Sequence, residues 1–525
     1  MKINILPNCL TDIMRGRMNK TLLTALILCG FTSPVFAVGF DTILPANPLT
    51  PRNVSENVIA IPVKKATLTH NSIHNQYVLA FDRFVQSNVK PAYNDFKILI
   101  ETVSSNDYVY MKLAENMADI GLFDLSELAL SKVEDKSISD LIAEDIKFYY
   151  YPAKKMKTED EIYLGEVFAN IVYNDQSREA TTELVKNTHL LAYCDYANYI
   201  AALGYLKSND FAEAEVYINY AIQMNPQNLN YKKLKAEILS QGKKPQNAIK
   251  LVNYIKSQKL YSAEFERKVN SLEQYVLYKS KKNYSEKMYH LGYYYYCENE
   301  NSKAVRTLQS ALSNKKKLNK DIYSLLARVY YDSQDYEKAQ DTALKAIKID
   351  DDDVRALCVL GDLSYRNKDY KTALKYYRHA QNGTKSSYEP SVKIAQTYEK
   401  LNKPDKATGI YEKLLKNYDD CCIAYYKTAL EDKTREVTYL KKTVAINMNF
   451  VDAWIDLGRV ALEKKDFSQA KKYLRIANYI DENNFRYYYY QGMLAKKQGL
   501  DGVPYFKKSL ILNPDYLPAK EELKI

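Results

Sequence analysis

The chain has 525 residues, a formal net charge of +11, and 46% hydrophobic and 26% charged residues. Glycine and proline number only 15 each, well below the usual ~7% and ~5%, which excludes a turn-rich β-sandwich and favours long helices. The basic excess is dispersed among acids along helices rather than gathered into one stripe or tail, so nucleic acid is disfavoured as a partner.

In chain order, the first feature is a leader. From Met18 the sequence runs MNKTLLTALILCGFTSPVFA, with Lys20, an apolar run over 22–31 and the small-residue pattern Val35-Phe36-Ala37. This predicts a secretory signal cut after Ala37, within a leader spanning 1–37. The apolar run is too short for the roughly 20 residues that span a bilayer, so membrane contact is expected only through this segment if it stays uncleaved. The protein is therefore expected to be exported: periplasmic, secreted or associated with the cell envelope. Residues 38–72 carry Pro45, Pro48, Pro51 and Pro62 without a helical period and are expected to form an extended tether.

From residue 73 one pattern returns: a small step in a first helix, a polar turn, then a second helix of the form Ala-x-x-x-large-x-x-Ala. The clearest copy is Trp454, Leu457, Gly458, then Ala470, Leu474 and Ala477. Others are Leu291, Gly292, Ala304, Leu308, Ala311; Leu326, Ala327, Ala339, Ala343, Ala346; and Leu360, Gly361, Ala373, Tyr377, Ala380. The marker residue of the second helix falls at Ala92, Ser126, Ala180, Ala214, Ala248, Ala304, Ala339, Ala373, Ala407, Val437, Ala470 and Gly502, with 34 the commonest interval. A small residue is needed where two helices cross closely, and its bulky neighbour fills the gap to the next pair. Asp210, Asp335, Asp369 and Asp466, each followed by an aromatic, stand where a second helix needs an N-cap.

These residues resemble the tetratricopeptide repeat family, whose signature is W-x2-L-G-x2-Y, then A-x3-F, then P, over about 34 residues. The resemblance implies an all-α, right-handed superhelical solenoid of antiparallel helix pairs. Two longer intervals of the marker, 54 and 56 residues, predict helical insertions near 141–160 and at 263–284. The expected organisation is an N-terminal array over 73–262, the insertion at 263–284, a C-terminal array over 285–516 and a capping helix over 517–525. Pro226 and Pro514 follow second helices, where they end one helix without breaking its ladder.

The motif search for chemistry is empty. The five histidines include no H-E-x-x-H; His70 and His74 share an i, i+4 spacing without a third ligand, and the five cysteines beyond residue 37 form no C-x-x-C. The adjacent Cys421 and Cys422 are expected to be one buried and one exposed thiol. No nucleophile elbow, P-loop or dinucleotide fingerprint is present, so no catalytic residue, metal site or cofactor is expected.

The outlying count is tyrosine, with 49 residues. The resemblance implies that positions two, five, nine and twelve of each repeat face a concave groove. On that register Tyr77, Phe81 and Phe84, then Tyr196 and Tyr199, then Tyr289, Tyr293 and Tyr296 are the candidate groove residues. Rings with polar tips suit a protein or peptide segment, and a glycan or other polymer is the alternative ligand. Packing by neighbouring repeats is the competing account of the same rings. The corresponding positions over 320–421 include Asp321, Arg328, Arg355, Asp362, Glu389 and Gln396, a mixture that departs from the family's Lys and Asn clamp for a terminal carboxylate. The function expected is a non-catalytic adaptor that holds a protein segment.

Overall fold

The computed structural model describes residues 68–102, 106–242, 244–258, 263–312, 319–384, 387–418 and 420–524. These residues form 28 helices, stacked as antiparallel pairs. The expected leader, the tether up to residue 67 and the side chains of His70 and His74 lie outside them. The first helix begins at Leu68, inside the stretch read as tether.

The opening hairpins are α1 (Leu68–Val85) with α2 (Val89–Thr102) and α3 (Asp107–Asp119) with α4 (Phe123–Lys132). A single helix, α5 (Lys136–Tyr150), follows, then α6 (Thr158–Val172), α7 (Ser177–Lys186) and the short α8 (Thr188–Tyr193). Regular pairs resume with α9 (Asp195–Lys207) and α10 (Phe211–Met224), then α11 (Leu229–Gln241) and α12 (Pro245–Ser257). After the lone α13 (Ala263–Ser280) come α14 (Tyr284–Cys297) with α15 (Asn301–Leu312), α16 (Asn319–Asp332) with α17 (Tyr336–Ile349), and α18 (Val354–Arg366) with α19 (Tyr370–Asn382). The stack ends with α20 (Glu389–Lys400) and α21 (Pro404–Asn417), α22 (Cys422–Glu431) and α23 (Glu436–Ile446), α24 (Val451–Glu463) and α25 (Phe467–Ile480), α26 (Phe485–Lys497) and α27 (Val503–Leu512), and α28 (Leu517–Leu523) laid against α27.

The repeat signature has a visible cause. The glycine of each first helix is pressed by the bulky residue of its own second helix: a Cβ at Gly292 would sit 2.6 Å from Leu308 Cγ, at Gly361 2.4 Å from the Tyr377 ring, and at Gly458 2.9 Å from Leu474. In the last pair the shortened turn moves the partner, so Gly492 meets Phe506 at 2.6 Å. Of the twelve marker positions, the alanines and Ser126 are buried, as a close crossing requires. Val437 is only half-buried, and in that pair Leu440 takes the interior position. Asp210, Asp335, Asp369 and Asp466 each accept the backbone N–H three residues on, at 3.2, 3.3, 3.1 and 3.0 Å. The residue before each of them (Asn209, Gln334, Lys368, Lys465) takes a positive φ of 62–65°, which turns the chain between helices at some conformational cost.

Both lone helices are structural joints. Helix α5 packs against α3, α11 and α23, and its Tyr149 stacks on Phe265 of α13 with centroids 4.5 Å apart. The connection after α5 is fixed by Asp195, whose Oδ2 accepts bonds from Ala153 N at 2.9 Å, Asn225 Nδ2 at 3.0 Å and Tyr231 OH at 3.2 Å.

The stack also closes on itself. Tyr108 OH donates to Asn449 Oδ1 at 2.7 Å, and its ring lies 5.8 Å from that of Tyr479. Asp135 receives Lys441 Nζ at 3.0 Å and the Tyr473 hydroxyl, while Lys472 pairs with Glu134. One hydrophobic core runs through Tyr77–Val276 and resumes over Ala373–Leu494, whereas residues between them form smaller clusters of their own. Among the described residues no helix is long and apolar enough to cross a membrane.

Candidate binding wall on the first helices

The first helices of successive pairs in the C-terminal half (α14, α16, α18, α20, α22, α24 and α26) lie side by side, and their polar residues form a ladder from one to the next. Tyr296 OH donates to Asp332 Oδ2 at 2.6 Å, linking α14 to α16. Arg328 on α16 reaches Asp332 at 3.3 Å and Asp362 on α18 at 3.1 Å. Asp362 also receives Tyr377 OH at 2.7 Å and Lys393 Nζ of α20 at 2.5 Å. Lys427 and Glu399 connect α22 to α20 at 2.8 Å. Asp456 on α24 receives Tyr426 OH of α22 at 2.9 Å and Arg486 of α26 at 2.8 Å.

This ladder is buried chemistry. Asp332, Asp362, Lys393 and Asp456 are each no more than 8% exposed. Burial alone would lower the pKa of the Lys393 ammonium, but Asp362 and Glu389 beside it raise it above the usual lysine value. Arg328 is likewise held charged against burial by Asp332, Asp362 and Glu389. Buried charges persist when each is paired and hydrogen-bonded, and here one register of charges across neighbouring repeats supplies the pairs. Arg328, Asp362 and Glu389, read from the sequence as groove positions, therefore spend their charge within the wall.

The eight candidate aromatics divide. Phe84, Tyr196 and Tyr77 are 0%, 4% and 5% exposed and belong to the core; they present no surface to a ligand. Phe84 packs under Gly165 of α6, and Tyr196 lies against Gly121 with its ring edge-on to Phe123 at 4.9 Å. Phe81 and Tyr199 are half-buried: Phe81 stacks on Tyr77 and Phe84, and Tyr199 on Tyr196 and Tyr231. Tyr77 and Phe84 are covered by α2 and α6, and Tyr196 and Tyr199 by the start of α4 and by α11. Tyr289, Tyr293 and Tyr296 of α14 are half-buried in a continuous row, with centroids 6.2 Å apart at each step. Arg355 of α18 lies over Tyr293 at 5.2 Å and donates from Nη1 to Ser324 Oγ at 3.3 Å.

The wall thus offers one row of rings beside a guanidinium, on a scaffold whose ladder charges are internally matched. Sequence reasoning missed the ladder, although the 34-residue separation of Arg328 and Asp362 is a legible sign of it. The cysteine expectation is corrected: Cys421 and Cys422 are both buried and both free, and burial pushes each thiol up to about 12. Cys421 sits under the start of α22 and Cys422 inside its first turn, so neither faces solvent.

Two stretches of the chain, 324–390 and 451–484, match family models described as tetratricopeptide repeat. No curated protein sequence matches the chain. Among solved structures it is similar to the APC/C hetero-tetramer Cut9–Hcn1, at 12% identity over 87% of this chain and 97% of that one, with a TM-score of 0.42. It is similar to PilW, a type IV pilus biogenesis factor, at 20% identity over 40% of this chain and 100% of that one, with a TM-score of 0.34. It is also similar to a tetratricopeptide repeat protein from Parabacteroides merdae ATCC 43184, at 16% identity over 53% and 96% of the two chains and a TM-score of 0.30. The matched stretches fall in the stacked hairpins from α16 to α19 and in α24 with α25, so tetratricopeptide repeats occupy those parts of the chain.

Proposed function

We propose that the chain is a non-catalytic scaffold, exported to the cell envelope, whose first-helix wall holds a segment of another protein. The supporting observation is the row Tyr289, Tyr293 and Tyr296 beside Arg355: aromatic contact area next to a guanidinium, on helices whose buried charges Arg328, Asp362 and Lys393 are paired. Tyrosine gives such area at low entropic cost, because only two side-chain torsions are fixed on binding. The leader over 1–37 supports export.

The test places a photoreactive phenylalanine analogue at position 289 of the full chain in a secretion-competent host, and at the exposed position 435 as control. A discrete protein adduct from 289 and none from 435 is the expected result. Adducts that ignore position, or a glycan adduct in place of a protein, would overturn the protein-binding reading. Export is tested separately by fusing alkaline phosphatase after residue 37, where an inactive fusion would remove that part of the proposal.

A further inference from the structure

We infer that Arg355, framed by Tyr289, Tyr293 and Ser324, receives a carboxylate side chain of an acidic peptide segment. This rests on the reading that the wall holds a protein segment, and it names the chemistry of that segment. The argument starts from charge matching. Arg328 has Asp332 at 3.3 Å and Asp362 at 3.1 Å, Lys393 has Asp362 at 2.5 Å, Lys427 has Glu399 at 2.8 Å, and Arg486 has Asp452 at 2.7 Å and Asp456 at 2.8 Å. Arg355 differs from all four: among the described residues no Asp or Glu oxygen lies within 4.0 Å of its half-buried guanidinium. Of its five N–H donors, one is bonded to Ser324 Oγ at 3.3 Å and one meets the Tyr289 hydroxyl, both neutral partners. The nearest acids in sequence do not answer it, since Asp353 Oδ1 caps α18 by accepting Ala356 N at 2.8 Å and Asp321 stands beyond ion-pair distance.

A planar fork whose neutral partners leave part of its donors over matches a carboxylate bidentately, and a half-buried guanidinium gains most from such a partner because water compensates it poorly. The ring of Tyr293, 5.2 Å away, holds the fork in place, and Tyr289 stands edge-on to Tyr293 at 6.2 Å. Asp321 and Asp353 keep the surrounding potential from being strongly positive, which disfavours a phosphate dianion against a singly charged carboxylate. The row of rings gives the flanking chain of the ligand its contact area, so a peptide fits where a free acid would leave the rings uncovered.

The experiment measures fluorescence polarisation of the full chain with a labelled peptide of alternating Glu and Leu, and with its Gln counterpart. Wild type is expected to favour the Glu peptide by about 10- to 100-fold, the range of a charge-assisted hydrogen bond to one side chain. Arg355→Gln is expected to lose that preference while keeping its helical circular dichroism, Arg355→Lys to keep part of it, and Arg435→Gln, whose side chain is 57% exposed, to keep it whole. A Glu preference that survives Arg355→Gln overturns the inference, as does displacement of the Glu peptide by inorganic phosphate as effective as by the unlabelled peptide. If neither peptide binds while the adduct at position 289 still forms with a protein, this inference falls and the scaffold reading stands; if no protein adduct forms, the scaffold reading has failed first.

Discussion

Removing the Asp135 carboxylate tests whether the stack is held closed by the contact between its early and late repeats. Asp135 is 6% exposed at its side chain and Lys441 22%, and Nζ lies 3.0 Å from the carboxylate. Breaking a fully buried pair costs ~3–5 kcal/mol and an exposed one ~0–1 kcal/mol. The partial exposure of Lys441, and its second bond to Ser137 Oγ at 2.5 Å, put Asp135→Ala between those limits, at about 2–3 kcal/mol including the lost bond from Tyr473. The single Trp is well placed to report it, because Trp454 packs 6.0 Å from the ring of Tyr473. In urea, the Trp454 fluorescence transition of Asp135→Ala is expected to move to lower concentration ahead of the bulk loss of helicity. A double-mutant cycle with Lys441→Met should return about 1–2 kcal/mol of coupling. Burial pushes the Asp135 pKa up, but bonds from Ser137, Tyr473 and Lys441 outweigh it and hold the carboxyl below its usual range. The stabilisation is therefore present above pH ~3.9 and is lost as pH falls through the lower folded value, with Lys441, Lys472, Glu134, Asp107 and Tyr473 as the facing groups. Coupling below about 0.5 kcal/mol, with an unmoved Trp454 transition, would refute the reasoning.

Glu161 behaves in the opposite sense: burial lifts its carboxyl from 4.5 to about 8 while both oxygens face the Asp124 N–H at the start of α4. Stability should fall as pH rises between those two values, and Glu161→Gln should flatten that slope in thermal melts at pH 5, 7 and 8. Gly361→Ala drives a Cβ to 2.4 Å from the buried Tyr377 ring and should cost about 1–3 kcal/mol, whereas Gly409→Ala, with nothing within 4 Å, should gain about 0.5–1 kcal/mol. Urea titrations of the two variants should move in opposite directions. Asp362→Ala leaves Lys393 and Arg328 short of their common partner and should cost about 3–5 kcal/mol, while Asp341→Ala, in an exposed pair with Lys345, should stay within about 1 kcal/mol.

The hairpins were legible because their marker positions are local: a small residue, a bulky one and a capping aspartate fall within one pair, and the period repeats. The register failed at Val437, where no alanine marks the second helix. Val437 lies 30 residues after Ala407, whereas Leu440, which holds the interior position, lies 33 after it and so closer to the usual period. The tyrosine row was half legible. Tyr77 and Phe84 have the same spacing as Tyr289 and Tyr296, yet whether a ring at that spacing is covered depends on α6 and the adjoining hairpins, which no count along one helix contains. The Asp135–Lys441 contact was illegible, because its partners stand 306 residues apart and neither carries a local sign of the other.

That distant contact changes how the molecule should respond to damage. In an open stack each pair touches only its neighbours, so stability is close to a sum of pairwise terms and fraying can begin at either end. Here α5 bridges α3, α11 and α23, and the core of the first hairpins continues into that of α24 and α25. Loosening α5 removes support from late repeats that lie far from it in sequence. The middle helices, α14 to α18, pack most of their buried residues instead into smaller clusters of their own. They also carry Tyr289, Tyr293 and Arg355, so the proposed binding wall lies on the stretch where local motion is least opposed by the closing contacts.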